Sequence, residues 1–414
     1  MIKRYFLFVG LLLISEMSTA FEVWNQKANM PATARHRTVA FTVGNKGYMG
    51  LGHYNSGPGG NTYLNDIWEY DPASNTWTQK ADFAGGYRYH AVGVGYQNVA
   101  YVGTGRDQTT PPSQAYTLET DWWEFDPLAN SWTTKPPIPG VGRRGAVAFL
   151  IDDIIYVGTG QVSTGYTGSF YAYDITNETW LTNIPDLPGG GRTSAVAFTI
   201  DGKGYAGTGG VGCGSNDIYE YKPSTNQWLP RQPIGGPIRN EACGFAVNGK
   251  GYILTGDNCS SGTNYGDVWE YDPNTDTWIE LPEFPGTARR YMNAFVIGNK
   301  AYCGSGTSGV NFNDLWEYDQ VLSTIERDQS FINISHYPNP VIDKTNFEVG
   351  NLPQGLSYEQ LNIKIYNLAG QVVFESNFEQ NNLIFERGNE PNGNYVYSIW
   401  YENQMVKHGK MIFI

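Results

Sequence analysis

One spacing recurs six times along this chain. A Tyr is followed four residues later by a Gly at Tyr48/Gly52, Tyr101/Gly105, Tyr156/Gly160, Tyr205/Gly209, Tyr252/Gly256 and Tyr302/Gly306. The intervals between these Tyr residues are 53, 55, 49, 47 and 50. Thirteen residues before each Tyr lies an Arg: Arg35, Arg88, Arg143, Arg192, Arg239 and Arg289. A variable loop follows each Gly and leads to a segment of the type Asp66-Ile67-Trp68-Glu69-Tyr70-Asp71. Its counterparts begin at Asp121, Ser169, Asp217, Asp267 and Asp314. Five copies carry a further Trp: Trp77, Trp132, Trp180, Trp228 and Trp278. A unit of this length cannot bury its own apolar face, so copies must pack against one another.

The repeat predicts four short strands per unit. Strand A follows the Arg, as in Ala195-Val196-Ala197-Phe198, and a tight turn leads to strand B at the Tyr. Strand C is the Trp-Glu-Tyr segment, rich in β-formers, and strand D carries the late Trp. A four-stranded antiparallel unit repeated at this period is a propeller blade. The sixth copy stops at Tyr318-Asp319 without its late Trp, while a lone Trp24 precedes the first Arg, 53 residues before Trp77. The N-terminal segment is therefore expected to supply the last strand D, giving six blades over residues 21–319. Composition agrees, with 50 Gly, 14% aromatic and only 16% charged residues. Gly, Tyr and Trp displace helix formers, against a helical bundle. A net charge of −13 argues against a nucleic-acid partner held through phosphates.

The Gly-x-Gly after strand B, the Tyr of strand C and the spaced Trp of strand D resemble the kelch family. This chain departs from the family's double Gly, with Gly103-Thr104-Gly105 and its variants in most units. The resemblance implies an all-β, six-bladed kelch-type β-propeller. Met1 to Ala20 has two early cations, an apolar run from Tyr5 to Ile14 and a small-residue end, the pattern of a signal peptide over residues 1–20. Residues 320–330 read as a polar linker. Residues 331–414 carry short alternating strands and are expected to form a small β-sandwich, Ig-like in class. Tyr337-Pro338-Asn339-Pro340, Ile365-Tyr366-Asn367-Leu368-Ala369-Gly370, Gly393-Asn394-Tyr395 and Gly409-Lys410-Met411-Ile412 resemble the C-terminal sorting domain of the type IX secretion system. That resemblance implies the type IX machinery as a partner and a secreted or outer-membrane-surface location. Export permits disulfides. Cys213 and Cys259 fall in B–C loops of adjacent units and are expected to pair, while Cys243 and Cys303 replace core Val residues and are expected to stay reduced.

Alternating strand direction places the B–C and D–A loops on one face, where the lengths vary and a ligand is expected. Six Arg at the mouth of strand A suggest a ring around one entrance. Arg35, Arg88, Arg192, Arg239 and Arg289 read as scaffold, paired with the strand-C residues Glu69, Glu124, Glu220, Glu270 and Glu317. The third unit has Ala172 in place of that Glu, so Arg143, followed by Arg144, is the copy expected to be free for an anion. Where units differ, His53, Arg106, Asp107 and Asp257 are further ligand-binding candidates. Asp257-Asn258 lacks calcium-loop spacing, and no metal site, cofactor or Ser-His-Asp order is expected. His36, His53 and His90, without a suitable Cys, do not make a copper radical site. A monomer is expected. Two functions fit. One is a binding module for a glycan or protein ligand, which the sequence by itself favours. The other is a carbohydrate-active enzyme, because exported six-bladed kelch proteins include the N-acetylneuraminate mutarotases, or epimerases, which this propeller resembles in blade number and export. Six Arg would suit a sialic acid carboxylate, and Glu or His would move the proton.

Overall fold

The computed structural model describes residues 24–57, 60–107, 116–319, 334–350, 352, 357–367, 371–401 and 404–414. The expected signal peptide and linker lie outside these residues, as do Leu368-Ala369-Gly370 of the sorting-domain pattern. Trp24–Gln320 form one compact unit.

That unit contains six four-stranded antiparallel sheets, each matching one copy of the repeat. In the first, strands A to D are Val39–Val43, Lys46–Gly50, Ile67–Asp71 and Thr76–Lys80. Strand A alternates buried and half-buried residues, as a strand with one packed face should. Strand B is buried on both faces after its first residue, which its Gly-Tyr-x-Gly composition permits. Two of the A–B turns have positive φ at two successive positions, Asp201-Gly202 (48° and 70°) and Asn248-Gly249 (50° and 73°), where Gly takes the second place. The last sheet takes its fourth strand from the N-terminus. Trp24–Lys27 pairs antiparallel with Leu315–Asp319, Trp24 opposite Tyr318. The Trp24 ring then lies tilted against Tyr318 at 4.9 Å and meets Phe284 edge-on at 5.3 Å.

Neighbouring sheets are tied by repeated bonds. The inner strands pack side by side in chain order, and the sixth, Asn293–Ile297, lies against the first, Val39–Val43. Each strand-B Gly donates its N–H to the carbonyl of the next unit's Arg: Gly52 to Arg88, Gly105 to Arg143, Gly160 to Arg192, Gly209 to Arg239, Gly256 to Arg289 and Gly306 to Arg35. The late Trp indoles reach back one unit, for example Trp77 to the Ala28 carbonyl at 2.8 Å and Trp278 to Gln232 at 2.9 Å. Gly47 lets Phe295 of the sixth sheet lie directly on strand B of the first; a Cβ there would sit 2.0 Å from the ring.

The repeated Arg is scaffold, but its partner differs from the expected Glu. Arg88 grips Asp121 with two bonds of 2.7 and 2.9 Å, Arg192 grips Asp217 at 2.6 and 2.7 Å, and Arg289 grips Asp314 at 2.6 and 2.8 Å. Arg35–Asp66 and Arg239–Asp267 repeat the fork. Asp opens strand C, level with the Arg at the sheet's end. The strand-C Glu lies opposite the strand-B Tyr and accepts its hydroxyl, as in Tyr205–Glu220 and Tyr302–Glu317, both at 2.8 Å. Arg143 has neither carboxylate. Ser169 stands in the Asp position, and the guanidinium bonds the Thr159 and Ser169 carbonyls at 3.2 and 3.1 Å.

The described residues from Ile334 onward form two further sheets over one core. A three-stranded sheet joins Ile334–Tyr337, Lys344–Val349 and Asn382–Glu386. A four-stranded sheet joins Val372–Asn377, Leu361–Tyr366, Gly393–Tyr401 and Gln404–Phe413. Phe347, Ile363, Ile365, Phe385, Tyr397 and Phe413 fill the space between them.

Candidate functional site

Two residues after each scaffold Arg, the chain turns into strand A through a left-handed residue. These are Arg37, His90, Gly145, Ser194, Glu241 and Tyr291, with φ between 54° and 60°. Their backbones form a belt: the N–H of His90 donates to Arg37, Gly145 to His90, Ser194 to Gly145, Glu241 to Ser194 and Tyr291 to Glu241, at 2.8–3.1 Å. One backbone geometry thus carries six different side chains. They line a cavity of about 180 Å³ together with the first residues of the inner strands. Gly145 and Ser194 leave one side of the mouth open, and Arg37, His90, Glu241 and Tyr291 crowd the other.

A bonded chain runs through the crowded side. Arg37 Nη1 donates to His36 Nε2 at 3.2 Å and His53 Nε2 at 3.0 Å. A guanidinium only donates, so both Nε2 atoms carry lone pairs and both rings have their proton on Nδ1. His36 Nδ1–H then donates to Asn311 Oδ1 at 2.9 Å. Burial, with the charge of Arg37 adding, drops the His36 imidazole to about 3. Burial, with His36 and Arg37 adding, drops His53 to about 2. Both rings are therefore neutral at any ordinary pH. Burial also holds His90 well below the ordinary value.

Arg37 Nη2 donates to the Tyr291 hydroxyl at 2.5 Å, and its guanidinium carbon lies 4.1 Å from that ring's centre. Tyr291 in turn donates to Glu241 Oε1. The Glu241 carboxyl is pushed up to about 7, first by burial and further by Asp257, against the pull of Tyr291, Arg37 and Arg290. Its Oε2 lies 3.5 Å from Arg290 Nε, and Arg290 Nη1 bonds Asp257 Oδ2 at 2.7 Å. Burial keeps the Tyr291 phenol protonated far above neutral pH. A carboxyl near neutrality with a phenol donor beside it is the equipment of general acid–base chemistry.

None of the expected ligand-binding residues lines the cavity itself; His53 bonds Arg37 of its lining, and Asp257 bonds Arg290 beside it. His53 is buried at 3% exposure, not a solvated loop residue. Arg144 bonds Gln161 Oε1 at 2.6 and 2.9 Å and the Tyr89 hydroxyl at 3.1 Å. Arg106 lies 5.5 Å from the Tyr89 ring centre and 3.5 Å from that of Tyr116. Asp107 sits beside it, its backbone paired with Arg88 and Thr117. Asp257 is spent on Arg290. Arg143 does not line the belt cavity; it is 1% exposed and bonded within its own sheet. The scaffold Arg residues are buried in the same way, so they form no ring of guanidinium groups around the entrance. Cys213 and Cys259 form a disulfide, joining loops of the fourth and fifth sheets, and Cys243 and Cys303 are free and buried. Arg37, Glu241, Tyr291 and Arg290 do not stand out in the sequence. The signal that finds them is a fixed offset of one or two residues from the scaffold Arg, read for differences between copies.

Residues 335–413 match the family model of the secretion system C-terminal sorting domain, and residues 52–83 match the kelch motif. The chain is 25% identical over 170 residues to the N-acetylneuraminate epimerase of Pasteurella multocida (strain Pm70), covering 34% of this chain and 45% of that protein. It is 36% identical over 169 residues to the Haemophilus influenzae (strain PittEE) N-acetylneuraminate epimerase, with the same coverage of 34% and 45%. Kelch-like protein 15 of Gallus gallus is 30% identical over 131 residues, 31% of this chain and 25% of that protein. The matches thus span less than half the length of these curated relatives. The solved structure of YjhT has a TM-score of 0.58 at 17% identity, covering 70% of this chain and 96% of that one, a likeness of fold. The chain therefore combines kelch repeats, in an all-β architecture of blade-like sheets, with a type IX sorting domain that directs it out of the cell or on to its surface.

Proposed function

We propose that residues 21–319 close as a six-bladed kelch-type propeller whose belt cavity opens and recloses a sugar ring, the chemistry of a mutarotase or epimerase. In this reading residues 1–20 are the signal peptide, 320–330 the linker, and 331–414 an Ig-like sandwich read by the type IX machinery. The chain works as a monomer, outside the cell. The observation that carries the reading is Glu241, half-buried, near neutrality and bonded to Tyr291. Ring opening transfers one proton. The anomeric hydroxyl gives its proton to Glu241, the bond from the anomeric carbon to the ring oxygen breaks, and the ring oxygen takes the proton back. Closure on the other face of the carbonyl reverses the order and exchanges the anomers. A carboxyl with a value of about 7 is present in both forms at neutral pH and suits this double duty. The similarity to two N-acetylneuraminate epimerases supports this reading over the binding module for a glycan or protein ligand on the B–C and D–A loop face.

The test is anomer exchange of N-acetylneuraminate followed by NMR with the purified protein. Acceleration over buffer is expected, with Glu241→Gln slowing it roughly 10²- to 10⁴-fold. Binding without acceleration returns the chain to the binding-module reading.

A further inference from the structure

We propose that Cys243 and Cys303 are a dithiol at the wall of the belt cavity, which a peroxide closes into a disulfide joining the fifth and sixth sheets. The site is independent of the sugar chemistry proposed above.

The repeat puts the two sulfurs on one contact. The residue that opens strand A points at the second residue of the next sheet's strand A. Val39 does so at Gly93, where a Cβ would lie 2.4 Å from the valine Cγ2, and Val196 at Gly244, where a Cβ would lie 2.8 Å from the valine Cβ. Opposite those glycines on strand B stand Val102 and Ile253. The same step from the fifth sheet to the sixth leads from Cys243 to Ala294, and Cys303 stands opposite Ala294. Residues directly opposite on paired strands share a face, so Cys243 meets both. The two thiols are hydrogen-bonded to each other. A contact that is Val39 on Val102 between the first two sheets is thus thiol on thiol here. A single buried Cys serves as a small hydrophobe; two on one contact share a reaction that neither has alone.

Access to the pair is unequal. Cys243 lines the cavity, while Cys303 lies behind it at 0% exposure. Burial, with the bond to Cys243 adding, pushes the Cys303 thiol well above its ordinary value, so it stays protonated. A cavity of about 180 Å³ admits water, and hydrogen peroxide is little larger. Cys243 therefore reacts first. Its sulfur attacks one peroxide oxygen, the O–O bond breaks, and a sulfenic acid and one water result. The Cys303 sulfur then attacks the Cys243 sulfur. The S–S bond forms, the S–O bond breaks, and the oxygen leaves as water with the Cys303 proton. Both sulfurs are oxidised and one peroxide is reduced to two waters. With Cys213–Cys259 across the fourth and fifth sheets, the oxidised chain is bonded through three consecutive sheets.

The experiment treats the folded full chain with equimolar hydrogen peroxide, unfolds it in iodoacetamide and maps the peptides. Cys243 and Cys303 are expected to escape alkylation together and in equal amount, in a linked peptide two hydrogens lighter than the dithiol. Cys303→Val, which restores the residue of Val102, should leave Cys243 as a sulfenic acid that dimedone captures. Cys243→Val should slow the oxidation of Cys303 roughly 10-fold or more, since access governs thiol reactivity. Three results on wild type overturn the proposal and need no variant to fold. In the first, neither thiol is lost. In the second, Cys243 goes on to the sulfinic acid while Cys303 remains alkylatable. In the third, either Cys links to Cys213, to Cys259 or to another chain. Oxidation of Cys303 at an unchanged rate in Cys243→Val overturns the cavity as the route.

Discussion

Two positions only two residues apart behave in opposite ways around the six sheets. At the first, every unit has the same Arg, buried and bonded to its own strand C or to the carbonyl sixteen residues on. At the second, every unit has a different residue on the same left-handed backbone. Identity at the first position follows from assembly, since six copies must present one surface to their neighbours. The second faces the cavity, where nothing in the repeat constrains the side chain. The repeat builds six like sheets, and the side chains that line the cavity stand at a turn where the copies differ.

Breaking the first position should cost most. Arg239→Ala leaves Asp267 partly buried without its cation, and about 3–5 kcal/mol of stability should be lost. Thermal or denaturant unfolding of the variant measures it, and a loss under about 1 kcal/mol would mean the fork is not what holds the sheet ends. Next in size is the Cys213–Cys259 bond, which closes a loop of 46 residues across two sheets. Its reduction should cost about 2–4 kcal/mol. Peptide mapping should find Cys243 and Cys303 unmodified by thiol reagents in the folded protein, as burial raises the Cys303 thiol well above its ordinary value.

At the second position, a functional residue should burden stability. Glu241 holds its proton up to about pH 7 in the folded chain and releases it near 4.5 when unfolded. Its contribution is therefore full below 4.5 and is lost as pH rises through about 7, where the fold must carry a half-buried carboxylate. Each tenfold gain in proton affinity on folding is worth about 1.4 kcal/mol, so the loss amounts to roughly 3 kcal/mol. Glu241→Gln should flatten the fall in unfolding temperature between pH 5 and 8 and leave the variant more stable than wild type at pH 8. If the two curves stay parallel, Glu241 titrates normally and the acid–base assignment loses its basis.

The scaffold is legible in the sequence because a period averages over copies and keeps what they share. The strands and the borrowed Trp24 strand follow from that average, and the disulfide from two adjacent loops that depart from it. The Arg partner is misread from sequence because Asp66 and Glu69 lie in one short segment, and a period does not say which end of strand C the Arg meets. The register does: Glu69 stands opposite Tyr48, while Asp66 lies at the level where the chain enters the sheet. The belt is hidden for the converse reason. Arg37, Glu241 and Tyr291 share no chemistry, and their common feature is a backbone angle that no composition records.

The third sheet turns the comparison on itself, since it lacks the shared pair at the first position. Arg143 is 1% exposed, and burial pulls its guanidinium down from the ordinary value. Its cost is already present in the native protein, so Arg143→Leu should destabilise by at least about 2 kcal/mol less than Arg239→Leu, which strands a carboxylate. Ser169→Asp then supplies the missing partner. Ser169 Oγ lies 3.3 Å from Arg143 Nη2, within reach of the fork the other five sheets use. A charge-assisted pair in place of a weak neutral contact should stabilise the fold by about 1–2 kcal/mol. The gain should vanish when Arg143 is also replaced, a coupling that a double-mutant cycle isolates. A Ser169→Asp variant that gains nothing would mean that the neutral partners of Arg143 already serve it as well as the Asp serves the others. The first position would then be held by its sixteen-residue carbonyl bond, with the carboxylate secondary in every sheet.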